Sequence, residues 1–295
     1  MSTLNESVAR RVTLGYLASH YGFDLQPSFV SAVTITSLAN DVDSVRPGSL
    51  YIPMGTVDEQ RLAKAQENGA YAALVPTAFR SVVPHPDFPL LFADPTPQQL
   101  GRLASDVAGA PAAALAVFAI AGNDDGEIQL NVMRLADVLH MLGNPVGVIS
   151  AEGSKSLERQ LNLTYPLNML DVQHTLAVCS EDGAAAVVIA MDGKTLKRDS
   201  LQEVSVDVLG TDENLMGGQA QTMAQASRSY YGFAMDKQEH VTTRTEESNL
   251  LASQTSLVYD KASERHLSLS IAMVLAAGVR RSNIKGALRV SRELH

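Results

Sequence analysis

The stretch from Leu115 to Ile149 constrains this chain more than any other. Leu115–Ala121 is apolar without alternation, as a strand buried on both faces must be. A sharp polar loop, Gly122–Gly126, follows it. Glu127–Leu142 then carries Ile128, Val132, Leu135, Leu139 and Leu142 at helical spacing, and Gly143 stands where a helix would close. Val146–Ile149 is a second apolar strand. Strand, loop, helix and strand within about 35 residues make a βαβ crossover, and a crossover of that kind requires a parallel sheet.

The same alternation runs through the rest of the chain. Strands are expected at Ala32–Thr36, Leu50–Met54, Ala72–Val75 and Leu90–Ala93, with helices at Asp58–Asn68 and Thr96–Ala108. Thr96 suits an N-cap and Pro97 the first helical turn, and Leu100, Leu103, Ala104 and Val107 form one apolar face. Further on, Asp171–Glu181 reads as a helix with Asp171 as its N-cap. Ala185–Met191 and Val204–Leu209 read as strands, and Gly217–Ser229, Glu264–Ala277 and Ser282–His295 as helices. The stretch Gly109-Ala-Pro-Ala112 reads as a junction. The expectation is an α/β chain of two three-layer domains, residues 1–110 and 111–295, the second built on a mostly parallel sheet.

Composition narrows the function. A chain of 295 residues with 45% hydrophobic content has room for two cores. Its net charge of −9 repels phosphate backbones, and no basic patch offsets it, so no nucleic-acid partner is expected. The longest apolar runs, Ala112–Ala121 and Leu267–Val279, are too short to span a bilayer. The first twenty residues carry Glu6, Arg10 and Arg11 and no uninterrupted apolar segment, so no secretory signal is read. A cytoplasmic protein without membrane contact is expected. Cys179 is the single cysteine, which excludes an intramolecular disulfide and a multi-cysteine metal site.

A strand that feeds a glycine-rich loop and then a helix has the geometry of a phosphate-binding loop. Several stretches together resemble the Mur ligases, and among them the ligases that add the third stem-peptide residue to UDP-N-acetylmuramoyl-dipeptide. Asp41-Val-Asp-Ser-Val-Arg-Pro-Gly-Ser-Leu-Tyr-Ile52 resembles that family's Asp-Ser-Arg-x-Val-x-Pro-Gly-x-Leu-Phe-Val. Ala65-Gln-Glu-Asn-Gly-Ala-Tyr-Ala-Ala-Leu-Val75 resembles the helix and strand after it. Phe118-Ala-Ile-Ala-Gly-Asn-Asp-Asp-Gly-Glu127 resembles Gly-Ile-Thr-Gly-Thr-Asn-Gly-Lys-Thr. Asp171-Val-Gln-His-Thr-Leu-Ala177 with Asp182-Gly-Ala184, and the small-residue helix Arg265–Val279, complete the set in family order. The resemblance implies an N-terminal domain for a UDP-sugar and a central ATPase domain. The family's C-terminal domain is expected to be absent from these residues.

The resemblance also shows departures. Aligned on Gly122, the family's lysine position holds Gly126 and its threonine position Glu127, while Asn123, Asp124 and Asp125 fill the loop. A phosphate ~5 Å from a carboxylate, at an effective dielectric of about 20, is repelled by roughly 3 kcal/mol. The family's metal-binding Glu falls at Ala190 and its His at Lys194. Thr211-Asp-Glu-Asn-Leu215 keeps only part of a longer histidine-bearing motif. In the UDP-sugar site Asp41 remains, but Val42 and Asp43 replace Ser and Arg; Thr164 and Pro166 remain around Tyr165. No catalytic residue, resident cofactor or metal site is therefore expected. Gly122–Glu127 reads as a vestigial phosphate loop, with Asp41 and Thr164 as residual substrate contacts.

Simpler roles are preferred for the remaining residues. Gly122 and Gly126 shape a tight turn. Asp124, Asp125 and Glu127 stabilise a helix N-terminus in preference to binding a divalent cation. His174 is a surface or packing residue in a first helical turn, Cys179 a half-buried helix residue, Asp207 and Asp212 solvated carboxylates, and His85 a loop residue. The expected function is that of a degenerate, non-catalytic Mur ligase homologue in peptidoglycan precursor synthesis. It would pair with another cell-wall synthesis protein or sense a UDP-muramoyl precursor. One alternative is a divergent ligase with a rebuilt nucleotide site, using ATP and Mg. The other is a structural or oligomeric module without a small ligand.

Overall fold

The computed structural model describes residues 12–81, 88–211, 218–234, 240–254 and 260–293; His85 and Asp212 lie outside them. Two compact units divide between Ala110 and Pro111.

In the first unit, β1 (Val12–Thr13) leads into α1 (Leu14–Tyr21), β2 (Asp24–Gln26), β3 (Thr34–Ile35), β4 (Ser37–Ala39) and β5 (Ser49–Tyr51). Then follow α2 (Glu59–Glu67), β6 (Ala70–Val75), β7 (Leu90–Phe92) and α3 (Pro97–Ala108). Among the described residues the main sheet has the order β2-β7-β6-β5-β4, parallel except for β2 against β7. The expected strand Ala32–Thr36 divides differently. Its Thr34–Ile35 pairs antiparallel with β1, and the strand that enters the main sheet is Ser37–Ala39.

Local chemistry explains the helices. Asp58 Oδ1 accepts the Arg61 N–H at 2.7 Å to cap α2, whose Leu62 and Ala65 face the core. Thr96 caps α3 in a reciprocal box with Gln99, and Pro97 occupies the first turn. Asp106 on α3 accepts from the hydroxyls of Tyr16 at 3.3 Å and Tyr21 at 2.7 Å, tying α1 to α3.

The second unit contains β8 (Ala116–Ala121), α4 (Asp125–Met141), β9 (Val146–Ile149), β10 (Ser154–Ser156), β11 (Arg159–Leu161), α5 (Met169–Glu181) and β12 (Ala186–Met191). It continues through β13 (Val208–Thr211), α6 (Gln219–Tyr231), β14 (His240–Thr242), α7 (Glu246–Ser253), α8 (Lys261–Ala276) and α9 (Arg281–Glu293). The sheet order is β11-β10-β9-β12-β8-β13-β14, parallel from β9 to β14, with the β10–β11 hairpin antiparallel at one edge.

Both faces of this sheet are covered. Phe118, Ile120, Val188 and Ala190 pack under α4, α7, α8 and α9. Val117, Ala119, Val187 and Ile189 pack under α5 and α6. Two close approaches set the layers. A Cβ on Gly147 would stand 2.6 Å from the Cys179 sulfur, and one on Gly210 would stand 2.3 Å from the Met273 sulfur.

Several boundaries differ from the sequence reading. The N-cap of α5 is Asn168, whose Oδ1 accepts from Leu170 N and Asp171 N; Asp171 returns a bond to Asn168 N at 3.0 Å. Asp171 is thus the third residue of a capping box. His174 consequently lies beyond the first turn, and it is exposed. Cys179 is fully buried, where a half-buried position was expected, because Gly147 makes room for its sulfur. The strand expected at Val204–Leu209 begins only at Val208. Before it, Val204 and Val206 exchange backbone bonds with Ala234, outside the main ladder.

Candidate functional site

The carboxyl ends of β8, β9 and β12 converge at one edge of the second unit, the usual place for ligands in an open α/β sheet. The turn after β8 is more helical than its sequence suggests. Asp124 is the N-cap of α4, with Oδ1 accepting from Glu127 N at 3.0 Å, so Gly126 and Glu127 belong to the first helical turn. Neither Gly122 nor Gly126 has a positive φ. The tight-turn role expected of them is replaced by close packing. A Cβ on Gly122 would meet Ile128 at 3.3 Å, and one on Gly126 would meet the Asp124 carboxylate at 3.1 Å.

The three acidic side chains of this turn do not converge. Asp124 is spent on the cap. Asp125 faces Lys194 Nζ at 3.7 Å. Glu127 Oε2 lies 2.8 Å from His266 Nε2 and 3.7 Å from Arg265 Nη2, both on α8. His266 is nearly buried and Arg265 about half exposed, at 9% and 48% of the side chain. Each carboxylate beside the turn therefore has a cation or helix N–H from its own chain. Among the described residues, no group of three or more His, Cys, Asp or Glu is placed to hold a metal ion.

Behind the turn lies a polar network that sequence reasoning did not single out. Asp192, at the end of β12, is buried. Its Oδ1 accepts from Lys194 N at 2.9 Å and Thr195 N at 2.7 Å. Its Oδ2 accepts from Gln129 Nε2 on α4 and from the Thr195 hydroxyl. Thr195 Oγ1 in turn accepts from Gln129 Nε2 and from Ala151 N, both at 3.0 Å. Ser150 donates to Gln129 Oε1, and Ser154 accepts from Ser150 N at 3.0 Å and Tyr165 Oη at 2.6 Å. A buried carboxylate with four donors is satisfied without a ligand. Ala190, at the family's metal-Glu position, is a core residue under α4 and α8.

A cavity of about 630 Å³ opens beside the turn. Gly122, Asn123 and Met191 form its floor. One side of α6 forms its wall with Gln219, Thr222, Met223, Ala226, Ser227, Tyr230 and Tyr231. Tyr230 and Tyr231 meet edge to face, centroids 4.9 Å apart. Burial, with the negative charges of Asp192 and Asp125 nearby, pushes the Tyr231 hydroxyl up to about 12.

Other expected site residues stand apart. Thr164 is exposed before the Tyr165–Pro166 bond, and Asp41, in the first unit, is exposed ahead of a short helical turn. Asp207 is not simply solvated. Its Oδ2 accepts the Val117 N–H at 2.7 Å at the start of β8 and β13, the end of the sheet away from the turn. The Thr211–Leu215 stretch lies outside the described residues beyond Thr211.

No protein-family model matches this chain, and no curated protein matches it. Solved structures do. It is similar to the UDP-N-acetylmuramoylalanyl-D-glutamyl-2,6-diaminopimelate–D-alanyl-D-alanyl ligase of Acinetobacter baumannii, at 12% identity and TM-score 0.58, over 94% of this chain and 68% of that one. A MurF structure from the same organism matches at 13% identity and TM-score 0.56, over 94% and 67%. A UDP-N-acetylmuramoyl-L-alanyl-D-glutamate–2,6-diaminopimelate ligase matches at 12% identity and TM-score 0.59, over 94% and 66%. The chain shares the fold of these Mur ligases and spans about two thirds of their length. Among the described residues no helix is long and apolar enough to cross a membrane.

Proposed function

We propose that this chain is a non-catalytic homologue of the Mur ligase that adds the third stem-peptide residue to UDP-N-acetylmuramoyl-dipeptide. It acts in the cytoplasm, in peptidoglycan precursor synthesis, by sensing a UDP-muramoyl precursor or by pairing with another cell-wall synthesis protein. The observation that carries this reading is the pairing of Glu127 with His266 and Arg265. A phosphate loop needs a cation where the phosphates sit and a hydroxyl for the metal. Here a glycine and a carboxylate hold those positions, and that carboxylate engages the Arg265 guanidinium and the His266 ring. The residues do not fit Mg-ATP in the family's pose, so no phosphoryl-transfer step is derived.

The test is a calorimetric titration of the full chain with Mg-ATP. No heat at millimolar nucleotide is the expected result. Saturable binding in the micromolar range overturns the reading.

A second reading, a divergent ligase with a rebuilt nucleotide site, draws on one observation. Lys194 lies beside the turn, held by a half-exposed pair with Asp125, and such a pair contributes only about 0–1 kcal/mol. Mg-ATP binding that is lost in Lys194→Ala favours this second reading.

A further inference from the structure

We propose that the cavity between the β8–α4 turn and α6 takes an uncharged, flat aromatic small molecule with hydrogen-bonding groups. The inference rests on the reading that the turn is not a phosphate site, and it names what the same edge of the sheet accepts instead. The volume, about 630 Å³, lies within the range of small-molecule sites, roughly 300–1,000 Å³.

The lining decides the chemistry. Met191, Met223 and the rings of Tyr230 and Tyr231 are polarizable groups that favour the face of an aromatic ring. The two tyrosines stand at 85° to each other, so they offer a ring face and a ring edge at right angles. Gln219, Thr222 and Ser227 supply neutral donors and acceptors. Among the described residues no Lys, Arg, His, Asp or Glu lines the cavity.

The charges around the cavity are paired with one another. Asp125 and Asp192 both act on the Tyr231 hydroxyl, which stays protonated at neutral pH. Lys194, the cation next to the turn, faces Asp125. The Arg198 guanidinium, 5.8 Å from the centroid of the Tyr230 ring, pairs with Asp199 at 3.6 Å, and Asp192 takes four donors, so these charges are already engaged within the chain. A neutral ring, with Tyr231 as a donor to it, is the ligand these groups satisfy.

A matched pair of probes tests this. The full chain is titrated with 2-naphthamide and with 2-naphthoate, followed by saturation-transfer NMR. The amide is expected to bind saturably, at least tenfold more tightly than the carboxylate. Ala226→Trp, a change at an exposed position on α6 that fills the cavity, is expected to weaken the amide at least tenfold with Tm unchanged. Tyr230→Ala, at a second exposed lining position, is expected to weaken it as well. Equal binding of the two probes, or amide binding that neither variant changes, overturns the assignment. Silence of both probes together with silence of Mg-ATP overturns the cavity assignment and leaves the non-catalytic reading standing. Mg-ATP that binds and displaces the amide overturns both.

Discussion

In the interior of the second unit's sheet, Val117, Ala119, Val187 and Ile189 are fully buried on one face, and Phe118, Ile120, Val188 and Ala190 on the other. A few residues further along the same strands stand Asn123, Asp124, Asp125 and Asp192. The interior keeps what a doubly covered parallel sheet needs. The edge carries a strand–turn–helix with Asp124, Asp125 and Glu127 at the start of the helix. The difference is physical. Burial depends on volume and polarity, and it is indifferent to whether a ligand arrives. At the edge three carboxylates are satisfied from within: Asp192 by four donors, Glu127 by His266 and Arg265, Asp125 by Lys194.

The comparison breaks most violently in the interior. Val188→Asp places an unpaired carboxylate on a fully buried central strand, and a cost above ~4 kcal/mol is expected. Loss of the cooperative urea transition would show it. At the edge, Asp192→Ala strands Gln129, Thr195 and two backbone N–H groups, with an expected loss of about 2–4 kcal/mol. A shift of the urea midpoint with the slope unchanged checks this, and a loss under ~1 kcal/mol would mean that water replaces the carboxylate.

Gly147→Ala drives a methyl into the Cys179 sulfur and is expected to cost about 1–3 kcal/mol. Adding Cys179→Ala should recover part of that loss in a double-mutant cycle. The same packing makes Cys179 inert. Burial pushes its thiol up to about 11, so at pH 8 a disulfide reagent should label it about 100-fold more slowly than a free thiol of pKa ~9.

Glu127→Thr, in contrast, touches a partly exposed ion pair and should change stability by about 1 kcal/mol or less. A larger loss would move Glu127 from the edge class into the interior class. The smallest effect concerns Asp182. Its bonds from Ser156 and Arg159 hold its carboxyl below the ordinary value. A depressed acid stabilises the fold above its unfolded pKa and loses that contribution as pH falls through the folded one. Asp182→Asn should therefore lower Tm slightly at neutral pH, where that contribution is present, and converge with the parent chain as pH falls, which flattens the acid limb.

Much of the fold was legible because burial writes itself into local pattern. The apolar run before Gly122, the spacing from Ile128 to Leu139, and Thr96 with Pro97 each carry their meaning within one turn or one strand. Asn168 was passed over as the cap of α5 because Asp171, three residues on, is an equally good cap by type; only the reciprocal bonds separate them. The site was less legible. Gly126 and Glu127 carry the expectation of a turn unsuited to phosphate. Nothing local marked Asp192 as a hub, since its donors Gln129 and Thr195 come from α4 and from the segment after β12. The cavity wall was hidden for the same reason. Met223, Tyr230 and Tyr231 read as ordinary helix residues until α6 is placed beside Gly122.

The sequence by itself determined that the chain alternates strands and helices, that its central strands are buried on both faces, and that the turn after β8 is acidic. These follow from residue type and spacing, which act over a few residues. Only the tertiary structure decided which groups meet Asp125 and Glu127, which close around Asp192, and that α6 lines a cavity beside the turn. Those partners lie far apart in the chain, His266 being 139 residues from Glu127, and only the packing of whole elements brings them within reach.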